Sequence, residues 1–283
     1  MPELPEVEIT ARLVGAAVAG ARIESARAPG INALKTFDPP LDGLAGAQIT
    51  GIGRRGKLFV VGIDGDEPLA LLIHLMSAGR LQLYDTRASV RDRTSRVTLA
   101  LDDGRELRLR EFGTRQRAWV KLLRAPELAS EETLAGLGPE AWPDPPPLRP
   151  LLDQARPLYA LMRDQHVIAG IGRSWVDEIL HTAKLSPFKR GADLSDGDAA
   201  ALREATLDRL GGAIDHYAHT LKLPLPDKLP LPLRVHRHNG EPCPVCGTTI
   251  EAVFYEDYVM CYCPGCQTDG KVLKDRRLSR LLK

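Results

Sequence analysis

The residues of this chain best suited to covalent chemistry are its first six, Met1-Pro2-Glu3-Leu4-Pro5-Glu6. A small residue after an initiator methionine permits its removal, which would leave Pro2 with a free secondary amine. An α-amino group titrates near pH 8, against about 10.4 for a lysine side chain, so roughly a tenth of it is unprotonated at neutral pH. A secondary amine condenses with an aldehyde carbon to a cationic iminium, which is an electron sink. Glu3 and Glu6 place two carboxyl groups nearby that can hold or move protons. The same residues also suit a helix start, with Pro5 in the first turn and both glutamates at the positive end of the dipole. The following VEITARLVGAAV has helical apolar spacing.

A second constellation lies far along the chain. All five cysteines fall between residues 243 and 266. Cys243-Pro-Val-Cys246 and Cys263-Pro-Gly-Cys266 are two CxxC knuckles with 16 residues between them. Two such knuckles complete a tetrahedral four-thiolate site with no open position, so we expect one structural zinc ion and no metal catalysis. Between the knuckles, TTIEAVFY and YVMCY read as a hairpin, which makes the module a zinc ribbon. Cys261 shares the strand face of Cys263 and could rival it as a ligand; we read it as a spare thiol. No cysteine lies elsewhere to build a disulfide framework, which points to metal in a reducing intracellular compartment, the cytoplasm and nucleoid if the cell is bacterial.

Other elements must position these groups. Residues 1–137 contain one helix and then short β-like runs broken by Gly and Asp, such as ALLIHL, GRLQLYD and SRVTLALDDGRELRLR. That spacing suggests a β-sandwich or barrel. EAWPDPPPLRP (140–150) is a proline-rich linker, residues 151–220 are helical in pattern, and LKLPLPDKLPLPL (221–233) is a second proline-rich connector. With 38 Lys and Arg against 37 Asp and Glu, overall charge excludes nothing. Residues 105–124 and the last 17 residues are locally basic and would suit a polyanion, or form a solvated charged face. There is no apolar run long enough for a membrane span, and no basic region precedes an apolar stretch as in a secretory signal.

The N-terminal PELPE, a helical middle containing AGIG, and a four-cysteine ribbon together resemble the formamidopyrimidine-DNA glycosylase / endonuclease VIII family of base-excision repair enzymes. The resemblance runs nearly the full length. It implies a multidomain α+β protein. An N-terminal β-sandwich with an N-terminal helix (1–137) and a linker (138–150) come first. A helix–two-turn–helix DNA-binding domain (151–228) and a zinc-finger module with a basic tail (229–283) follow. It further implies a monomer that binds damaged double-stranded DNA and flips the lesion out of the stack. Pro2 would attack C1′ and release the base, Glu3 would act as general acid on the sugar, and Glu6 would orient neighbours or relay protons. GRRGKLFV (53–60) is similar to the segment carrying the family's essential lysine, here Lys57, and HLMSAGRL (74–81) to the loop that fills the vacated stack, here with Met76.

Four departures from the family pattern stand out. The helix–two-turn–helix turn reads Gly170-Ile171-Gly172-Arg173, with arginine where asparagine usually binds a phosphate. The finger tip has Tyr258 beside Glu256 and Asp257, where relatives often carry an arginine associated with δ-elimination. The connector after the last helix is short and proline-rich, which favours an open lesion pocket. The wedge that faces the orphaned base has no clean match in REFGTRQRAW (110–119); we assign it to Arg115. These departures also admit a damage-binding or abasic-site-binding protein of the same fold that lacks efficient turnover.

Overall fold

A computed structural model of the protein describes residues 2–89, 91–112, 116–256 and 258–274. The chain divides into two compact units, residues 1–136 with 214–230, and residues 137–213 with 231–283.

In the first unit the helix α1 (Leu4–Val18) precedes eight strands: β1 (Ile23–Arg27), β2 (Gln48–Arg55), β3 (Leu58–Asp64), β4 (Pro68–His74), β5 (Gly79–Tyr84), β6 (Ser95–Leu101), β7 (Glu106–Glu111) and β8 (Trp119–Arg124). They form two four-stranded antiparallel sheets in the orders β1-β6-β7-β5 and β2-β3-β4-β8, the β-sandwich anticipated from the sequence. A one-turn helix, α2 (Glu132–Ala135), follows. Leu4, Val7, Ala11, Val14 and Val18 of α1 recur at helical spacing and are buried. A Cβ on Gly15 would sit 3.3 Å from the Cβ, N and O of Ile52, so glycine lets the helix lie close on β2. Arg54 Nε donates to Glu8 Oε2 at 2.6 Å. With Gly15 at Ile52 and Glu8 at Arg54, α1 runs antiparallel to β2, and its N-terminus points towards the β2–β3 turn.

The charged stretch 105–124 proves to be largely structural. Arg108 pairs with Glu106, Arg110 with Asp227, Lys121 with Glu131, and Arg124 with Asp38 and Glu67. The second connector belongs to this unit through β5. Gln82 Nε2 donates to the Leu225 carbonyl at 2.9 Å and to Asp227 Oδ1 at 3.1 Å, and Arg80 donates to the Asp227 carbonyl.

The second unit contains α3 (Leu148–Leu152), α4 (Leu158–Arg163), α5 (Arg173–Thr182) and most of α6 (Asp196–Thr220), then a hairpin of β9 (Glu251–Phe254) and β10 (Val259–Tyr262) and a final turn α7 (Pro264–Gln267). The 140–150 linker folds here, with Trp142 against Gly211 and Arg203 bonded to the Pro145 carbonyl and Asp144. Two adjacent acids of α5 dock the cysteine module. Glu178 Oε1 accepts the N–H groups of Arg234, Val235 and His236, and Asp177 Oδ2 accepts from Cys261 N and meets His236 Nδ1 at 2.6 Å. Among the described residues no helix is long and apolar enough to cross a membrane.

Replacing Gly15 with leucine would push a side chain into the β2 backbone, where overpacking costs about 1–3 kcal/mol. We expect a lowered denaturation midpoint with unchanged m-value; an unaltered midpoint would show that the helix does not pack as described.

Candidate active site and metal centre

Glu3 and Glu6 are brought together and are almost fully buried. Glu3 N–H donates to Glu6 Oε2 at 2.8 Å across the first turn of α1. The other oxygen, Glu6 Oε1, accepts from the Tyr217 hydroxyl at 3.0 Å, 211 residues away near the end of α6. Tyr217 is itself fully buried, and its pKa is pushed up by burial and by the Glu6 and Glu3 carboxylates, so it stays a donor. Glu6 thus has both oxygens engaged, one on the backbone of the residue next to Pro2. That suits the orienting role. Pro2 is half-buried immediately before the helix, and Met1 lies outside the described residues.

Lys57 occupies the two-residue Gly56-Lys57 turn between β2 and β3, where Arg55 pairs with Leu58 and Gly56 takes φ +57°. This is the end of the sheet towards which α1 points its N-terminus. Leu58 in turn pairs with His74, whose pKa is lowered to about 4 by burial and then by the Lys57 charge. His74 is therefore neutral at physiological pH. Its Nδ1 accepts the Met76 N–H at 2.8 Å while its ring stacks on Trp119, 5.6 Å between centroids. That bond supports Met76 at φ +49°, a left-handed conformation that costs a non-glycine residue energy. Gly79 closes the loop, since a Cβ there would meet the Leu75 carbonyl oxygen at 2.4 Å. Met76 is accordingly half-buried on a shaped loop and not in the core.

The loop assigned to the second wedge is pinned at its base, where buried Glu111 Oε1 accepts the N–H groups of Arg117 and Ala118 at 2.7 and 3.0 Å. Arg115 itself lies outside the described residues.

In the second unit, the four knuckle cysteines converge. Cys246 Sγ is 3.4 Å from both Cys263 Sγ and Cys266 Sγ, and Cys243 Sγ is 3.8 Å from Cys266 Sγ. Such separations match the edge of a tetrahedron with metal–sulfur bonds of about 2.3 Å. Gly265 is required here, because a Cβ would lie 2.6 Å from Thr248 Oγ1 and 3.2 Å from Cys246 Sγ. Hydrogen bonds from Thr248 hold the Cys246 thiol down at about 6, whereas burial and the neighbouring sulfurs push Cys266 up. Crowded thiols of this kind resist joint ionisation unless a cation compensates them, so the donor set fits a thiophilic metal. Cys261 stands apart from this group. It is buried beside Val235 and Ile250, accepts the Arg237 N–H, and is raised to about 11 by burial and Asp177. That is the behaviour of an inert core thiol.

Sequence reasoning missed His181, whose Nε2 lies 3.2 Å from Cys243 Sγ and which clusters with Cys243, Cys263 and Cys266. It is placed to orient a ligating sulfur. It also missed Tyr217 and Arg163. Arg173 begins α5 after the Gly170 turn (φ +107°), and its guanidinium carbon lies 4.8 Å from the centre of the Tyr258 ring. Arg163 approaches the same ring at 4.5 Å. A cleft of about 990 Å³ nearby is lined by Tyr255, Lys189, Arg190, Lys271 and Lys274, the basic tail beyond Lys274 lying outside the described residues.

The His74 environment has a pH signature. The folded-state pKa lies below the unfolded value of 6.5, so the native state binds fewer protons and stability rises with pH. The contribution, at most about 3 kcal/mol, is complete above pH 6.5 and is lost as pH falls towards 4. We expect the stability of His74→Phe to fall less steeply than wild type over that window, and an NMR titration of His74 near 6.5 would refute the assignment.

Comparison with known proteins agrees with this geometry. Residues 1–116 match the family model for the formamidopyrimidine-DNA glycosylase N-terminal domain, and residues 148–224 match that for the formamidopyrimidine-DNA glycosylase H2TH domain. A formamidopyrimidine-DNA glycosylase of Roseiflexus sp. is 32% identical over 277 residues, covering 94% of this chain and all of that protein. An uncharacterized formamidopyrimidine-DNA glycosylase-like protein of Mycobacterium tuberculosis is 46% identical over 126 residues, 44% of this chain and 80% of that one. The Lactococcus lactis Fpg (MutM), solved in complex with DNA containing N7-benzyl-Fapy-dG, superposes with a TM-score of 0.83 at 26% identity, covering 94% of this chain and all of that one. Matched in both domains and along its length, the chain belongs to the formamidopyrimidine-DNA glycosylase family.

Proposed function

We propose that the protein excises damaged bases from duplex DNA and cleaves the resulting abasic site, with the Pro2 nitrogen as nucleophile. The observation that carries this reading is the clamped first turn of α1, in which Glu6 accepts the N–H of Glu3, the residue that follows Pro2, and both glutamates are buried. The unprotonated Pro2 nitrogen attacks C1′ of a flipped-out nucleotide, and the C1′–N bond to the base breaks. Glu3 protonates the ring oxygen as the sugar opens to an iminium. The iminium acidifies C2′–H; loss of that proton expels the 3′-phosphate by β-elimination, and water then releases Pro2. Lys57, on the adjoining turn, holds a phosphate or assists base departure, and Met76 enters the vacated stack.

The connector bears on which base is taken. Pinned on β5 by Gln82 and Arg80, the Leu225–Asp227 stretch is too short and too tightly bonded to close over a flipped base. This supports an open pocket that accepts oxidised pyrimidines, ring-opened purines or bulkier adducts. In the second unit the four cysteines would hold one structural zinc ion, which supplies cross-linking and no chemistry.

The test is borohydride trapping on an abasic-site duplex, using protein whose intact mass shows a free Pro2. We expect a covalent adduct and a β-elimination end, since Tyr258 stands where relatives carry arginine. Glu3→Gln should lower base excision by about 10²- to 10⁴-fold. Tight abasic-site binding without an adduct would instead identify a damage-binding protein. Metal analysis should give one zinc per chain, lost in Cys246→Ala together with thermal stability; full stability without metal would refute a structural role.

A further inference from the structure

The knuckle cysteines divide into an inner and an outer pair. Cys243 and Cys263 are buried, whereas Cys246 is exposed and Cys266 half-buried. The inner pair is tied to the C-terminal end of α5. His181, in the last turn of that helix, is buried and brings Nε2 to 3.2 Å from Cys243 Sγ. Gln267 Oε1 accepts the Cys263 N–H at 2.8 Å, and Gln267 Nε2 donates to the Leu185 carbonyl at 2.9 Å. Leu185 itself closes the end of α5, its N–H bonded to the Leu180 carbonyl. A metal-bound cysteine is a thiolate, and a divalent cation with a cysteine at every position keeps a net negative charge. At exposed Cys246 solvent and Thr248 meet that charge. At buried Cys243 protein donors must meet it. The Val245 N–H approaches that sulfur at 3.4 Å, and the His181 ring comes closer. A thiolate has no proton to give, so the ring nitrogen facing it must carry one.

We propose that His181 is a positioning residue of the metal centre, donating its Nε2–H to the Cys243 thiolate so that the last turn of α5 becomes part of the site. The inference rests on the reading of the four cysteines as a structural zinc site, and adds to it a side chain from outside the ribbon that no cysteine spacing marks. Asp177 and Glu178, one turn earlier on the same helix, bind the ribbon through the backbone of residues 234–236 and Cys261 and through His236, none of them a sulfur ligand. His181 differs in reaching a ligating sulfur, and its bond is strongest when that sulfur is charged. Metal binding therefore tightens the seat of the ribbon on α5, the helix whose first residue is Arg173.

The experiment uses the whole chain loaded with zinc or with cobalt(II). In a nitrogen–proton NMR correlation of the zinc-loaded wild type, His181 should carry a proton on Nε2; a ring protonated on Nδ1 alone would overturn the proposal without any substitution. Competition with a chelating dye then compares His181→Leu, which fills the space without a donor, with His181→Gln, whose amide can present an N–H near the position of Nε2. His181→Leu should bind zinc about 10- to 100-fold more weakly, and His181→Gln should recover most of that loss. In the cobalt-loaded protein, His181→Leu should move the sulfur-to-metal charge-transfer band to longer wavelength, because a thiolate without its donor gives up electrons more readily. Unchanged affinity in His181→Leu, equal losses in the two variants, or an unshifted cobalt band would each overturn the donor role. Wild-type protein that takes up no zinc would overturn the metal reading itself, and this proposal with it.

Discussion

The geometry of the N-terminal turn depends on one buried carboxylate. Glu6 joins the first turn of α1 to Tyr217 near the end of α6, and a carboxylate so enclosed is tolerable only because both oxygens are bonded. The arrangement converts an N-terminus, ordinarily the least ordered part of a chain, into a fixed point. The close packing of Gly15 on Ile52 and the Glu8–Arg54 pair extend that fixation down the helix to the strand that leads into Lys57.

A second layer of support comes from buried polar groups. His74 remains uncharged beside Lys57, and so can accept the Met76 N–H and hold a strained backbone in place. Likewise the acids Asp177 and Glu178 do not face solvent as a charged helix pair; they receive the backbone and ring N–H groups that seat the cysteine module on α5. In each case polar side chains that look like surface chemistry in the sequence serve to fix one segment against another.

That distinction marks what was legible beforehand. The meeting of Glu3 with Glu6 and the convergence of the paired CxxC knuckles were readable because short spacing sets them. The sandwich was readable from strand periodicity. The basic stretch 105–124 was misleading, since Arg108, Arg110, Lys121 and Arg124 find acidic partners as near as Glu106 and as far as Asp38 and Asp227. Tyr217, His181 and Arg163 were invisible for the converse reason. Each acts through a partner 62 to 211 residues away or across a turn whose geometry no local pattern encodes. The proline-rich connector was recognised as stiff, but its attachment through Gln82 required the fold.

The span between Glu6 and Tyr217 has a consequence for biosynthesis. A chain emerging at roughly 5–20 residues per second exposes its N-terminus on the order of ten or more seconds before Tyr217 is made. Throughout that interval the amine-bearing segment lacks the hydroxyl that completes its clamp. The Glu6 clamp is thus incomplete in the nascent polypeptide and closes only when the last turns of α6 dock, which makes the fixing of the first turn of α1 a late event in the protein's own synthesis.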